Sequence, residues 1–478
     1  MNIVGREKEQ SVLKRCFDSK KPEFLAIYGR RRVGKTYLIR EYFGDSIVFS
    51  LTGASRGGAK EQLARFKDAY EIYSGKHAED VNNWHDAFRL LRIYLEKQIT
   101  EKKDIAKIVV FLDELPWLAT QKSDFVSALE HFWNSWGAAR EELLLVVCGS
   151  ATSWIIKNII QNRGGLHNRI TRRMQIQPYS LGECEEHLRS IGVSLSRMQI
   201  AELYMAIGGI PYYLDYADPG LSVPQLIDQM FFDDAAPLAG EFDELYASIF
   251  KYPEKHLAII EALAINASGL PQKELSALIG EKTGGSFSKT IRELEQCGFV
   301  RKVREFNKKK NGISYKLIDF YTLFYLKHVR DYSGSDRRYW QNHSMKGAQL
   351  AWNGLAFERV CEAHPDQIKQ RLGILGVSTY ISAWRSKHSK PGVQIDLVID
   401  RDDGIVNLCE IKFTGKKFHI EKSYDSELRE RKEVFREETQ TRKAIHTTMI
   451  TASGLDDTSY LGEVQSEVTL DDLFRPVY

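Results

Sequence analysis

A glycine-rich segment near the start of the chain carries the first residues whose types and spacing could perform chemistry. Residues 29–36 read G-R-R-R-V-G-K-T and fit the pattern G-x-x-x-x-G-K-[ST] in full. The glycines of such a loop let backbone N–H groups surround phosphate oxygens, the lysine reaches the β- and γ-phosphates, and the threonine holds Mg²⁺. We therefore expect ATP and Mg²⁺ to bind here, through Gly29, Gly34, Lys35 and Thr36, with Lys35 also acting in catalysis.

An acidic pair follows an apolar run in the first third of the chain. Residues 108–112 read I-V-V-F-L and lead directly into Asp113 and Glu114. We expect Asp113 to bind Mg²⁺, directly or through water, and Glu114 to orient the water that attacks the γ-phosphate. The alternative is a solvated acidic pair. Ser150, after the next apolar run, is expected to sense the γ-phosphate, and a simple strand-to-loop turn is the alternative there.

Four arginines follow Ser150 in a stretch that contains glycines: Arg163, Arg169, Arg172 and Arg173. One of them could be an arginine finger that stabilises transition-state charge, in its own chain or in a neighbouring one. Arg169 is the best candidate for this catalytic role. The alternative is a basic surface that faces solvent or DNA.

A second group of chemically capable residues lies near the C-terminus. Asp396 stands in an alternating apolar stretch, and Glu410 and Lys412 are two residues apart in the next one. Residues two apart on a strand face the same side of a sheet, and a hairpin can bring Asp396 beside them. Two carboxylates can hold Mg²⁺, with Asp396 and Glu410 as ligands, while Lys412 positions water or stabilises developing charge. The alternatives are a surface Glu/Lys pair and a site that binds without cleaving.

Strands and helices that could position the first group alternate along the first third of the chain. Short runs rich in Val, Ile and Leu predict buried strands of a mostly parallel sheet, and the stretches between them predict helices. This is an α/β pattern, and a strand before the glycine-rich segment with a helix after it argues against a chance turn. The predicted strands are Phe24–Gly29, Ser46–Leu51, Ile108–Asp113 and Leu143–Gly149, and the predicted helices include Tyr37–Phe43 and Asp124–Trp136.

The middle of the chain predicts a different architecture. From about Pro178 the strand pattern stops, and several helices are expected before a compact unit of three helices and a hairpin. This order resembles a winged helix, whose third helix, Ser286–Gln296, would enter the major groove of DNA. The basic turn Lys308–Lys310 would then contact phosphate. The alternative is a module that only packs against its neighbours.

Composition narrows the class of protein. The 478 residues have a formal net charge of +3, so a nucleic-acid partner must be argued from local charge. Six scattered cysteines without a C-x-x-C pair are typical of buried thiols in a reducing compartment. The N-terminus lacks the apolar region of a signal peptide, and no long apolar run appears. We expect a cytoplasmic protein with no membrane partner.

The N-terminal motifs resemble a known family. Residues 4–9 read V-G-R-E-K-E, residues 30–32 are three arginines inside the glycine-rich loop, and Gly209-Ile-Pro211 follows in the helical region. Together they resemble the archaeal-type ATPases of the STAND/AAA+ class. The resemblance implies that Gly5, Arg6 and Pro211 flank the adenine and ribose. It also implies a homo-oligomer and a role as a nucleotide switch.

The C-terminal residues resemble the PD-(D/E)XK nuclease fold. Asp396, Glu410 and Lys412 match its D…E-x-K pattern, and Glu358 matches the acidic residue on the first helix of that fold. Gln394 and Ile395 stand before Asp396, where the bare motif has a proline. The whole series resembles archaeal-type ATPases with a DUF234-type tail. The resemblance implies catalytic roles for Glu358, Asp396, Glu410 and Lys412 on a nucleic acid, with DNA expected.

The predicted organisation is a multidomain α/β protein. It has a P-loop NTPase core with a parallel sheet, a helical lid, a winged helix, a linker and a C-terminal α/β restriction-endonuclease-like domain. One hypothesis is an ATPase that regulates a Mg²⁺-dependent nuclease. The alternative is an ATP-gated, oligomerising switch whose tail binds nucleic acid or a partner without cleavage. The predicted boundaries are 1–180, 181–240, 241–330, 331–350 and 351–478.

Overall fold

The computed structural model divides the chain into two compact units. The first comprises Met1–Pro178 with Leu245–Lys251, and the second Tyr179–Glu244 with Tyr252–Tyr478. The residues that the structure describes are 3–55, 57–78, 81–101, 107–120, 123–162, 164–308, 312–334, 336–343, 347–386 and 392–477.

A five-stranded parallel sheet forms the centre of the first unit. Its strands lie in the order β2-β3-β4-β1-β5, and every neighbouring pair is parallel. Every residue of β3 and β4 is buried, as their unbroken apolar sequences predict. The four predicted strands are present, and a fifth, β5, was not predicted. The strands are β1 Glu23–Gly29, β2 Ile47–Thr52, β3 Ile108–Asp113, β4 Leu143–Gly149 and β5 Arg172–Ile176.

Helices of the first unit cover this sheet. Aromatic residues of three of them, among them Phe66, Trp84 and Phe132, share one core with Phe24 and Leu145 of the strands. Short 3₁₀ turns occur at Gly44–Ser46 and Gly137–Ala139, and a π-helical turn at Ile156–Ile160. The α-helices are α1 Glu7–Phe17, α2 Lys35–Phe43, α3 Ala59–Ser74, α4 Trp84–Glu101, α5 Leu115–Leu118, α6 Phe125–Ser135 and α7 Thr152–Ile155.

The second unit begins with the expected helical region. Ser180 and Ser196 start the first two helices as N-caps, each in a capping box with Glu183 or Gln199. The helices are α8 Leu181–Ser190, α9 Arg197–Ile207, α10 Pro211–Leu214 and α11 Val223–Phe231, and α12 Glu241–Ile249 follows across the division between the units.

The middle module has the predicted order of elements. Its three strands form an antiparallel sheet in the order β6-β8-β7. The described chain then continues as α16 and a π-helical turn at Tyr325–Val329. The elements are α13 Glu254–Ile265, β6 Leu270–Pro271, α14 Gln272–Leu278, α15 Gly285–Gln296, β7 Val300–Arg304, β8 Ile313–Leu317 and α16 Phe320–Phe324.

The polar stretch expected as a linker contains a short helix, α17 (Tyr339–His343). Trp340 is buried, and its backbone N–H donates a hydrogen bond to the Asp228 carboxylate of α11 at 2.6 Å. Gln341 also donates to the Asp228 carboxylate, through its backbone at 3.1 Å and its side chain at 2.9 Å. The described part of this stretch therefore packs on α11, while the five domain boundaries remain predictions.

A mixed five-stranded sheet forms the C-terminal part. The order is β13-β12-β11-β10-β9, with β9, β10 and β11 antiparallel and β11, β12 and β13 parallel. The hairpin expected between Asp396 and Glu410 is formed by β10 and β11, which are joined by residues 402–404. The elements are α18 Gly347–Ala363, α19 Pro365–Arg371, β9 Thr379–Arg385, β10 Gln394–Arg401, β11 Ile405–Lys412, α20 Lys422–Thr439, β12 Ala444–Thr451, β13 Val464–Thr469 and α21 Leu470–Leu473.

Two findings bear on composition. All six cysteines are buried free thiols, as the sequence predicted. Among the helices of the described residues, none is both long and apolar enough to span a bilayer.

Candidate functional site

The glycine-rich loop joins β1 to α2 in the first unit. Gly29 has φ +151°, and a Cβ there would lie 2.3 Å from the carbonyl oxygen of Ile176, so no side chain fits. Gly34 has φ 86° and precedes α2 directly. Lys35 is 5% exposed, and its Nζ donates to the carbonyl oxygens of Gly29 at 3.0 Å and Arg30 at 2.8 Å. The loop thus holds a buried ammonium at a helix N-terminus, an arrangement suited to phosphate.

The predicted Mg²⁺ ligands lie in direct contact. Thr36 Oγ1 donates a hydrogen bond to Asp113 Oδ2 at 2.7 Å, and Asp113 is 2% exposed. The other carboxylate oxygen, Oδ1, accepts from the Glu114 N–H at 2.9 Å. Hydroxyl and carboxylate oxygens are the ligands that Mg²⁺ takes in nucleotide sites. The residues present therefore fit a magnesium ion bound with ATP.

Glu114 and Ser150 form a pair that the sequence did not predict. Ser150 donates to Glu114 Oε2 from its hydroxyl at 2.9 Å and from its backbone N–H at 3.2 Å. The backbone of Glu114 is left-handed, with φ 47° and ψ 50°. A Cβ on Gly149 would lie 2.8 Å from Pro116, so the end of β4 approaches α5 closely. Ser150 thus orients the predicted catalytic carboxylate, and its role as a γ-phosphate sensor stays a prediction.

Arg6 connects three segments of the first unit. Its guanidinium donates to the carbonyl oxygens of Gln177 at 2.6 Å and Val33 at 3.1 Å, and the side chain is only 4% exposed. Gly5 has φ 59°, and its carbonyl oxygen accepts from Gln10 at 2.6 Å. Arg6 therefore fixes the segment before α1 against the glycine-rich loop and the residue after β5. The expected contacts of Gly5 and Arg6 with adenine and ribose stay predictions.

The predicted arginine finger lies in a loop that is anchored to α6. Glu130 accepts from the Gly165 N–H at 2.7 Å, and Asn134 donates to the Gly165 carbonyl oxygen at 2.8 Å. Arg169 is exposed. Its exposure suits a contact in a neighbouring chain, and the finger role stays a prediction.

The remaining N-terminal candidates are placed as follows. Arg172 and Arg173 are exposed on β5, while Arg163 lies outside the described residues. Pro211 begins α10 in the second unit. Just before it, a Cβ on Gly209 would lie 1.9 Å from the Tyr179 carbonyl oxygen, so this glycine serves a close backbone approach within that unit.

In the C-terminal sheet, Glu410 is the centre of a hydrogen-bonded cluster. Lys412 Nζ lies 2.9 Å from Glu410 Oε1, Arg431 donates to Oε2 at 2.6 Å, and the Tyr424 hydroxyl donates to Oε1 at 2.8 Å. Burial opposes ionisation, but Lys412 and Arg431 hold the pKa of Glu410 below its ordinary value. Arg431 and Tyr424 lie on α20, and the sequence did not predict either partner.

Asp396 lies on β10 one residue before Leu397, which pairs with Cys409 next to Glu410 on β11. Burial and the charge of Glu410 raise the pKa of Asp396. Glu358 of α18 lines the same cavity as Asp396. Burial and the charge of Asp396 raise the pKa of Glu358 to about 7. The structure therefore brings Glu358 beside Asp396, and Asp396 beside Glu410.

A preassembled metal site is not present in this arrangement. Within the described ranges, no group of three or more His, Cys, Asp or Glu side chains is placed to hold one ion. Glu410 faces Lys412 and Arg431, and each of these cations competes with a metal for its oxygens. Among the residues that the structure describes, neither Asp396 nor Glu358 forms an ion pair of this kind, so these two carboxylates are the ones of this cluster left available to a cation such as Mg²⁺.

The hairpin of the middle module packs against the C-terminal sheet. Phe306 follows β7, is 5% exposed, and shares a core with Trp384 and Phe435. Its N–H donates to the Ala383 carbonyl oxygen at 3.3 Å. Lys308 contacts Glu305, and residues 309 and 310 of the predicted wing lie outside the described residues. The hairpin therefore packs against a neighbouring part of the protein, as the alternative to DNA binding expects. Contact of this module with DNA stays a prediction.

Comparison with known proteins finds one relative by sequence and several similar solved structures. The chain is 24% identical over 425 residues to an uncharacterized protein of Methanocaldococcus jannaschii, covering 87% of this chain and 88% of the relative. It is similar in structure to a Walker-type ATPase of Pyrococcus abyssi, with 17% identity, 68% of this chain and 96% of that chain covered, and a TM-score of 0.48. It is also similar to the ORC2 protein of Aeropyrum pernix, with 13% identity, 68% and 94% covered, and a TM-score of 0.42.

A family match covers the segment that contains the glycine-rich loop and the acidic pair. Residues 3–217 match a family described as an ATPase domain predominantly from Archaea. This confirms the predicted type of N-terminal domain, and it leaves the C-terminal domain unassigned. Residues 3–217 are thus similar to an ATPase domain of this family, and within them Lys35, Thr36 and Asp113 make the contacts expected of a P-loop site.

Proposed function

We propose that this protein hydrolyses ATP at the first-unit site and that ATP controls a nucleic-acid-directed, metal-dependent centre in its C-terminal domain. The observation that carries the first part is the continuous set of hydrogen bonds from Thr36 through Asp113 and Glu114 to Ser150. Asp113, Glu114 and Ser150 lie at the ends of the neighbouring strands β3 and β4, beside the glycine-rich loop that carries Thr36. A γ-phosphate, its metal and its attacking water would meet there.

Each side chain has a distinct task in this mechanism. The Lys35 ammonium would leave the loop carbonyls for the β- and γ-phosphates, and Thr36 and Asp113 would hold the magnesium ion. When bound, the ion would neutralise part of the phosphate charge. Glu114 would orient the attacking water and accept its proton, and Ser150 keeps the carboxylate in place.

The second part of the proposal is supported by the acidic residues of the C-terminal sheet. Glu358 and Asp396 are partly buried carboxylates, and the charge of Asp396 raises the pKa of Glu358. A divalent cation would offset this repulsion and activate water for attack on a phosphodiester. Lys412, beside Glu410, would stabilise the charge that develops on the phosphate. DNA is the nucleic acid we propose.

One observation favours a second candidate function, a nucleotide-gated switch that binds without cleaving. Lys412, Arg431 and Tyr424 engage both oxygens of Glu410, so this carboxylate is neutralised by the chain itself. Such a centre could bind a nucleic acid or a protein partner while the ATPase domain controls assembly into a homo-oligomer.

Degradation of DNA in the presence of Mg²⁺ discriminates the two functions. We expect the intact protein to degrade DNA with Mg²⁺, and Lys412→Ala to lose this activity. Lys417→Ala serves as the matched control, because Lys417 is 54% exposed and pairs only with Asp457 among the described contacts. Equal, metal-independent degradation by all three proteins would refute the nuclease proposal.

Size-exclusion chromatography with ADP and with a non-hydrolysable ATP analogue tests the switch. A nucleotide-dependent elution volume together with no cleavage would favour the second function. An unchanged volume would count against ATP-gated assembly.

A further inference from the structure

A cavity of about 210 Å³ lies between the β7–β8 hairpin and the C-terminal sheet. The hairpin contributes Arg304 and Lys316 to its lining, and the C-terminal part contributes Glu358, Arg385 and Asp396. The two acidic residues that best fit a metal ion thus face a wall supplied by the middle module.

The hairpin is fixed in this position by contacts along its length. At one end, Phe306 is buried against Phe435 with 4.9 Å between ring centroids. In the middle, Arg301 donates to the Glu362 carbonyl oxygen at 3.0 Å, and Lys316 Nζ lies 2.6 Å from Glu362 Oε1. Lys316 is 8% exposed, so this ion pair is shielded from water. These contacts hold the hairpin in place as one wall of the cavity.

Charge is distributed unevenly around the cavity. Glu358 and Asp396 are partly buried in its lining, whereas Arg304 and Arg385 are exposed and so lie at its mouth. The Arg304 guanidinium lies 6.0 Å from the centroid of the Tyr380 ring, which is 42% exposed. Arginine recognises phosphate, and an exposed aromatic ring beside it offers a face on which a base can stack.

We propose that this cavity takes single-stranded nucleic acid, with backbone phosphates on Arg304 and Arg385, and excludes duplex. The inference rests on the nucleic-acid function proposed for the C-terminal domain. From these arginines at the mouth, the walls on two sides let the backbone continue toward Glu358 and Asp396 only on a strand that has left its partner, because a paired strand brings the whole duplex with it. A cavity of about 210 Å³ is also smaller than the roughly 300–1,000 Å³ of typical ligand pockets, which leaves room for one backbone segment.

Fluorescence anisotropy of the full chain tests this inference without requiring cleavage. A short labelled oligonucleotide is compared as a single strand and as a duplex of the same sequence, with Ca²⁺ in place of Mg²⁺. We expect the single strand to bind about tenfold more tightly, since base stacking and contact inside the cavity are available only to it. Equal affinity for the two forms, or no binding of the single strand, would overturn the inference.

Charge reversal identifies the binding residues. The double variant Arg304→Glu/Arg385→Glu should weaken single-strand binding about tenfold and reduce the slope of log affinity on log salt by about 1.4, for two lost phosphate contacts. Arg189→Glu is the control, because Arg189 is 67% exposed on α8 and does not line the cavity. Unchanged binding in the double variant would refute this site.

The binding result is independent of catalysis. Single-strand binding without Mg²⁺-dependent cleavage would support the cavity and refute the nuclease. Cleavage of duplex and single strand alike, lost in Lys412→Ala, would support the nuclease and overturn the single-strand preference.

Discussion

The protein contains two acidic sites that differ in how their carboxylates are neutralised. In the first unit, Asp113 accepts hydrogen bonds from the uncharged Thr36 hydroxyl and the Glu114 N–H. In the C-terminal sheet, Glu410 is engaged by two cations, Lys412 and Arg431. A metal ion has only to displace a hydroxyl hydrogen bond at Asp113, but it must compete with two ammonium or guanidinium groups at Glu410.

This difference explains why metal binding is better supported at the nucleotide site than at the C-terminal site. In the nucleotide site, the Asp113 carboxylate is bonded to uncharged donors, which leaves its charge available to the Mg²⁺ that binds with ATP. In the C-terminal site, Lys412 and Arg431 already neutralise the negative charge of Glu410. The carboxylates of Glu358 and Asp396 are not neutralised in this way, and the pKa of each is raised. Substitutions at Lys35, Arg431, Glu358 and Ser150 test this contrast.

Removing the Lys35 ammonium should have the largest effect. Lys35→Ala is expected to lower ATP turnover by about 10²–10³-fold or more, because one aimed charge on the transferred group is lost. Steady-state phosphate release measures this. Lys97→Ala is the matched control, since Lys97 is 51% exposed on α4 and pairs with Glu101. Full activity in Lys35→Ala would show that the loop does not serve hydrolysis.

Removing Arg431 should leave the buried charge of Glu410 only partly neutralised. Arg431→Ala leaves a carboxylate that is 7% exposed with one fewer cation, so we expect a loss of about 3–5 kcal/mol in the free energy of unfolding. Added Mg²⁺ should restore part of this stability if a metal takes the place of the guanidinium. Denaturant titration measures both effects.

The control for that experiment is Arg436→Ala, an exposed position on the same helix. It should change stability by less than about 0.5 kcal/mol. Equal, Mg²⁺-independent losses in the two variants would show that Glu410 is not balanced by Arg431.

The raised pKa of Glu358 predicts a pH dependence with a definite sign. Its pKa is about 7 in the folded protein against 4.5 ordinarily, so the folded state binds more protons between these values. Stability should therefore fall as pH rises through this window, by up to about 3 kcal/mol. Glu358→Gln should remove this loss, and thermal unfolding at a series of pH values measures it. A Glu358→Gln protein with the same pH profile as the parent would contradict the assignment.

Removing the Ser150 hydroxyl should have the smallest of these effects. Ser150→Ala loses one hydrogen bond to the Glu114 carboxylate but keeps the one from the backbone N–H. A hydrogen bond to a charged group contributes about 1.5–3 kcal/mol, so kcat should fall roughly tenfold or somewhat more. Ser150→Thr should retain most of the activity because it keeps a hydroxyl. A kcat that is unchanged in Ser150→Ala would show that the backbone contact alone orients Glu114.

The sequence predicted the features that depend only on residues adjacent in the chain. The glycine-rich loop, the strand before it and the helix after it follow from adjacent residues, and the structure places Lys35 and Thr36 as the pattern indicates. Strand β5 escaped prediction because its arginines and glutamine are exposed at the edge of the sheet. Its pattern therefore lacks the unbroken apolar run that predicted the central strands.

Long-range partners could not be read from the sequence. Arg431 reaches Glu410 from a helix that looks like a solvated, charged surface element, and only the fold shows which of its arginines turns inward. Phe306 gave no signal that the hairpin would join the C-terminal core. Polar residues at the ends of adjacent strands were a usable signal for Glu114 and Ser150, because those ends meet at one edge of a parallel sheet.

Glu114→Gln tests the central claim most directly, because it removes the proposed base while keeping the size and hydrogen bonding of the side chain. ATP binding, followed by the fluorescence of a labelled analogue, should change by less than about threefold, and kcat for ATP hydrolysis should fall by about 10²–10⁴-fold. A Glu114→Gln protein that hydrolyses ATP at the parent rate would contradict the account.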